Sequence, residues 1–100
     1  MTLKAEFQLR ALAHAQTAML EYGAPTKRLL DTLSSRGGVE TVQELCKRHR
    51  VSDGFDVLCA KKRGDLTLEA LAVTGKYGEL FTDDEVNHCL DMLMQAAFFA

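Results

Sequence analysis

The sequence predicts an all-α fold, a compact bundle of five to six short helices forming one domain over residues 1–100. Three observations carry that prediction. The chain holds a single proline, is rich in Ala, Leu, Glu and Lys, and has few β-branched runs, a composition that favours helix over strand. Its apolar residues return at three- and four-residue steps, the period of one helix face. Ser, Thr and Gly punctuate these stretches where helix caps belong. A chain of this length with no shift in composition suits one domain, and it buries roughly two-thirds of its unfolded surface, enough for a core without staples.

The first helix is expected from about Leu3 to Tyr22, with Thr2 as N-cap and Gly23 as its stop. Phe7, Ala11, Ala15, Ala18, Met19 and Tyr22 make one apolar stripe, whose alanines imply close approach of a neighbouring helix. Pro25 reads as the first residue of the second helix, where its missing N–H is not needed. Leu29, Leu30 and Leu33 form that helix's buried edge, and Gly37-Gly38 ends it. The third helix shows Thr41 and Glu44 at capping-box spacing, with Val42, Leu45, Cys46 and His49 on one side.

Ser52 is placed to cap a short fourth helix, with Phe55, Leu58 and Cys59 facing inward and Gly64 closing its last turn. Asp65 or Thr67 opens a fifth, which carries Leu68, Leu71 and Ala72 and stops near Gly75; Lys76-Tyr77-Gly78 is a turn. The final helix has the clearest start. Thr82 and Glu85 form a capping box, Phe81 and Val86 hold hydrophobic-staple positions, and Asp83 and Asp84 complement the helix dipole. Val86, Cys89, Leu90, Leu93, Met94 and Ala97 make its inward face. Met92 and Phe99 fall on one flank and Phe98 on the other, so the chain end either folds back or offers an apolar contact surface.

The net charge is −2, but it is unevenly spread. Residues 1–26 balance, residues 27–63 carry nine basic against five acidic side chains, and residues 64–100 set Lys76 alone against seven acids. No apolar run approaches the roughly 18 residues of a membrane span. The opening Met1-Thr2-Leu3-Lys4-Ala5-Glu6 lacks the basic-then-apolar layout of a secretion signal. Cys46, Cys59 and Cys89 are odd in number and without framework spacing, as expected of free thiols in a cytoplasm.

Neither catalytic residues nor a cofactor nor a metal site is expected. Zinc needs four converging ligands, whereas adjacent His88 and Cys89 point about 100° apart on a helix and Cys46-x-x-His49 stands as a lone pair. There is no phosphate loop, no dinucleotide fingerprint and no nucleophile on a glycine-framed loop. Asp65 and Glu69 have the spacing of a carboxylate pair, but acids are expected at a helix start in any case.

Two charged surfaces remain as binding candidates. Glu79, Asp83, Asp84 and Glu85, with apolar help from Met92 and Phe99, suit a basic protein partner. Lys47, Arg48, Arg50, Lys61, Lys62 and Arg63 surround residues 44–55, which read like a helix-turn-helix, and point to duplex DNA as the alternative. Against DNA stand Arg50 where the turn usually wants glycine, and Asp53, Gly54 and Asp56 at the head of the recognition helix. Self-association through the final helix is a third possibility.

From Ser52 onward, Ser52-x-Gly54-Phe55-x-x-Leu58, Gly64-Asp65-Leu66-Thr67-x-Glu69-Ala70-Leu71 and Leu80-Phe81-Thr82-x-x-Glu85 are similar to a pattern in small bacterial and phage proteins of uncharacterised function. In size and helical build the chain also resembles phage-encoded anti-CRISPR proteins. That resemblance implies a non-catalytic inhibitor in the cytoplasm of a bacterial host. Such an inhibitor occupies a CRISPR effector complex and blocks its engagement of target DNA, here with the acidic C-terminal region facing Lys/Arg-lined surfaces.

Overall fold

A computed structural model describes residues 2–96, and among them the fold is entirely helical. Helix α1 (Leu3–Tyr22) starts and stops as its sequence requires: the Thr2 hydroxyl accepts from the Ala5 N–H at 3.1 Å, and Gly23 takes the left-handed conformation at φ 65°. Phe7, Ala11, Ala15 and Ala18 are buried along one side.

Helix α2 (Lys27–Arg36) begins two residues after Pro25, which is exposed ahead of it. Buried Thr26 decides the start, because its hydroxyl donates to the Ala15 carbonyl at 2.7 Å and pins the helix entry to α1. Helix α3 (Gly38–Lys47) begins at Gly38, so Gly37 alone separates the two helices and the Thr41/Glu44 capping box does not form. Thr41 instead donates its hydroxyl to the Gly37 carbonyl at 2.7 Å, and Glu44 pairs with Arg48. Gln8 of α1 stitches this corner: its amide donates to the Leu33 carbonyl at 2.6 Å and its oxygen accepts from the Gly38 N–H.

His49 ends α3 in the left-handed region at φ 55°, with the Arg50 N–H returning to the Leu45 carbonyl at 2.9 Å. Helix α4 (Phe55–Ala60) follows Gly54 at φ 85°. Lys62, not Gly64, takes the left-handed position that closes it, and Arg63 bonds back to the Leu58 carbonyl at 2.8 Å. Nor does Ser52 cap α4; its side chain is drawn to Glu69.

A 3-10 turn at Gly64–Leu66 leads into α5 (Leu68–Ala72), capped by Thr67 on the Ala70 N–H at 3.1 Å. Asp65 therefore belongs to the turn, exposed and paired with Arg63, while Glu69 is buried; the two carboxylates do not meet as a pair. A second 3-10 segment, Gly75–Leu80, contains the expected turn but buries Tyr77 completely.

Helix α6 (Asp83–Gln95) opens on the expected capping box, with Thr82 accepting from the Glu85 N–H at 3.2 Å and Glu85 from the Thr82 N–H at 2.9 Å. Cys89 and Leu93 are buried, with Val86, Leu90 and Met92 half-buried. Met94, assigned to the inward face from sequence, is 64% exposed. Burial centres on Cys89 and Leu93, and Met94 stands roughly 100° round from Leu93 at about 100° per residue. Ala97, Phe98 and Phe99 lie outside the described residues.

The bundle is organised around α1, which packs on α2, α3 and α5, while α6 covers α3 and α5 from outside. Phe7 sits at the centre, edge-on to both Tyr77 and Phe81 with ring centroids 5.4 Å away in each case. Among the described residues no helix is long and apolar enough to cross a membrane.

Candidate functional site

Because one glycine joins α2 to α3, the two helices stand side by side and leave a groove of about 320 Å³ between them. Arg28, Thr32 and Arg36 recur at four-residue steps and so share one face of α2. Glu44 and Arg48 line the opposite wall from α3, and the turn after α3 adds Arg50, Ser52 and Asp53 at one end. Between the walls lie buried Leu29 and half-buried Leu45. The result is an apolar floor with arginines around it.

Two of the four guanidinium groups are answered internally. Arg28 donates two hydrogen bonds to the Asp53 carboxylate, at 2.8 and 3.0 Å, and Arg48 donates to Glu44 at 2.7 Å. Arg36 and Arg50 have no carboxylate partner among the described residues. The groove therefore carries a net positive charge and donors suited to carboxylate or phosphate oxygens.

The turn bearing Arg50 and Asp53 is held from below. His88 of α6 bonds through Nε2 to the Arg50 carbonyl at 3.0 Å. Both Glu69 carboxyl oxygens take Ser52, one its N–H at 2.6 Å and the other its hydroxyl at 2.5 Å. Burial pushes the Glu69 carboxyl above the usual carboxylate range, against the pull of the two Ser52 bonds.

The sequence-derived basic candidates separate in space. Arg48 and Arg50 line the groove, while exposed Lys47 lies outside its lining. Lys61 and Lys62 are exposed at the far end of α4. Arg63 is turned to Asp65 at 3.1 Å and to Tyr22, over whose ring it lies 5.1 Å from the centroid. Arg28 and Arg36 were missed, although their four-residue steps with Thr32 were visible; only the packing of α3 alongside shows that this face lines a groove.

Of the acidic candidates, Glu79, Asp83 and Asp84 are exposed around the start of α6, whereas Glu85 is engaged in the capping box. Met92 is half-buried, and Phe99 falls outside the described residues. Among the described residues no three His, Cys, Asp or Glu side chains gather to hold a metal ion. Burial pushes the Cys46, Cys59 and Cys89 thiols up, away from the reactive thiolate.

No family model matches the chain, and neither a curated protein nor a solved structure matches it.

Proposed function

We propose that this protein is a non-catalytic protein-binding module whose α2–α3 groove receives an acidic, partly apolar segment of a partner. The observation that carries the reading is the set of four arginines around the Leu29–Leu45 floor, two of them without a carboxylate partner among the described residues. Guanidinium groups grip carboxylates with planar, two-pronged geometry, and an apolar floor adds affinity for a side chain laid between them.

Duplex DNA fits this surface less well. Helix α4, in the recognition position, is six residues long, presents exposed Asp56, and packs against the Gly64–Leu66 turn. Base readout needs donors, and the one charged side chain of this helix is the Asp56 carboxylate.

Fluorescence anisotropy separates the two. A labelled helical peptide of Glu and Leu, its Gln-for-Glu counterpart and a short labelled DNA duplex are titrated with protein at low and physiological salt. The acidic peptide binds, the Gln peptide does not, and Arg36→Glu with Arg50→Glu abolishes the binding. Tighter binding of the duplex than of the acidic peptide, with a steep loss on adding salt, overturns the assignment in favour of DNA.

Exposed Glu79, Asp83 and Asp84 favour a second reading, the one implied by the likeness to anti-CRISPR proteins: an acidic surface presented to the nucleic-acid channel of a CRISPR effector complex. Its test is inhibition of target-DNA binding by a purified effector, lost on changing these three acids to Ala. Glu85 is left intact in that variant because it caps α6.

A further inference from the structure

We infer that α1 pairs antiparallel with α1 of a second copy of this chain, through the face formed by Leu9, Ala13, Gln16 and Leu20. All four are exposed, and the two leucines heavily so, at 54% for Leu9 and 72% for Leu20. At about 100° per residue these positions fall within about 60° of one another, opposite the Phe7, Ala11, Ala15 and Ala18 face that enters the core. Their steps of four, three and four residues are those of a two-helix seam. Ala13 at its middle lets a second helix come close, and Gln16 beside it supplies an amide that specifies register.

The charges choose the occupant and its direction. Arg10 and Glu21 are exposed on the same flank of this face, and neither forms an ion pair among the described residues. A parallel copy, related by a two-fold axis along the helices, carries this flank to the far side of the seam, so Arg10 and Glu21 find no opposite charge across it. An antiparallel copy, centred between Ala13 and Gln16, lays Leu9 over the other copy's Leu20 and sets Arg10 within about 3 Å along the axis of the opposing Glu21, at ~1.5 Å rise per residue. Two-fold symmetry makes that contact twice on one side, so the face is complementary to itself. The seam from Leu9 to Leu20 is roughly 16 Å long, less than the ~800 Å² per partner of a stable dimer requires, so the pairing is weak and concentration-dependent.

Sedimentation equilibrium over a wide concentration range tests it. The wild-type mass rises from one chain toward two. The double variant Leu9→Lys with Leu20→Lys stays monomeric, while its circular dichroism melt remains that of a folded helical protein, since both leucines face solvent. Arg10→Glu weakens the dimer about 10-fold, and adding Glu21→Arg to it restores the wild-type value. A chain that stays monomeric at the highest concentration overturns the inference, as does a dimer that survives the two lysines. An Arg10→Glu effect that is absent, or that the second change fails to rescue, overturns the antiparallel register.

Discussion

Glu69, in the first turn of α5, holds Ser52 by both its carboxyl oxygens, with the backbone N–H at 2.6 Å on one and the hydroxyl at 2.5 Å on the other. Glu69 is 2% exposed and Ser52 4%. A buried carboxyl is tolerated only where its oxygens find donors, and Ser52 provides two. Through this contact the floor of the bundle fixes the turn that carries Arg50 and Asp53 to the end of the groove. The site's shape therefore depends on a residue that does not line it.

Removing that carboxyl should be costly and replacing it by an amide much less so. Glu69→Ala leaves a buried N–H and a buried hydroxyl without partners, a loss of about 3 kcal/mol in urea unfolding. Glu69→Gln keeps an oxygen for the Ser52 N–H and offers an amide donor to the hydroxyl. A Gln variant as unstable as the Ala variant would show that the negative charge itself, not the hydrogen bonding, secures the turn.

The same residue sets a pH dependence. Burial raises the Glu69 carboxyl above its usual range, so its contribution to folding is complete below the ordinary carboxylate value and is lost as pH climbs through the raised one. His14 acts in the opposite sense: burial lowers it, and its contribution is lost as pH falls below the usual histidine range. Urea titrations from mildly acidic to neutral pH should show wild type losing stability relative to Glu69→Gln as pH rises, the His14 effect cancelling in the difference. Parallel curves for the two proteins would contradict the assignment.

The α2–α3 corner makes a sharper steric prediction. A Cβ on Gly38 would lie 2.8 Å from two carbons of the Phe7 ring, itself wholly buried among Tyr77 and Phe81. Gly38→Ala should cost about 1–3 kcal/mol, because the ring has nowhere to go. Gly75→Ala, whose Cβ meets nothing within 4 Å, is the control and should fall within about 0.5 kcal/mol of wild type.

Helix caps and stripes were legible because they are local. Thr2, Gly23, Thr67 and the Thr82/Glu85 pair act within four residues of themselves, and each performs the role its position implies. Ser52 looked the same in sequence but bonds a carboxylate 17 residues away, a partner no local pattern announces. Thr26 likewise answers to Ala15, 11 residues back, which is why Pro25 does not begin α2. Tyr77 was hidden between Lys76 and Gly78 in a segment read as a turn, yet it packs on Phe7 and donates to Glu6 at 2.8 Å. Proximity along the chain groups Lys47, Arg48, Arg50, Lys61, Lys62 and Arg63, whereas the groove draws Arg28 and Arg36 from α2 and leaves Lys61 and Lys62 elsewhere.

Within the groove, the internal counter-ions predict a gain of binding as well as losses. Asp53 occupies the Arg28 guanidinium with two hydrogen bonds, so a carboxylate arriving from a partner competes with it. Asp53→Asn removes that competition and adds one net positive charge to the groove. The Arg28 side chain is 82% exposed and that of Asp53 24%, so solvent screens the pair from the arginine side and the fold should lose about 1 kcal/mol. Binding of the acidic peptide should tighten by roughly 3- to 10-fold, chiefly at low salt, where charge is least screened. Arg28→Ala in the Asp53→Asn background should abolish the gain. If Asp53→Asn instead weakens the peptide, Asp53 serves the groove by orienting Arg28 toward the ligand, and the Arg28–Asp53 pair is part of the binding surface rather than a competitor for it.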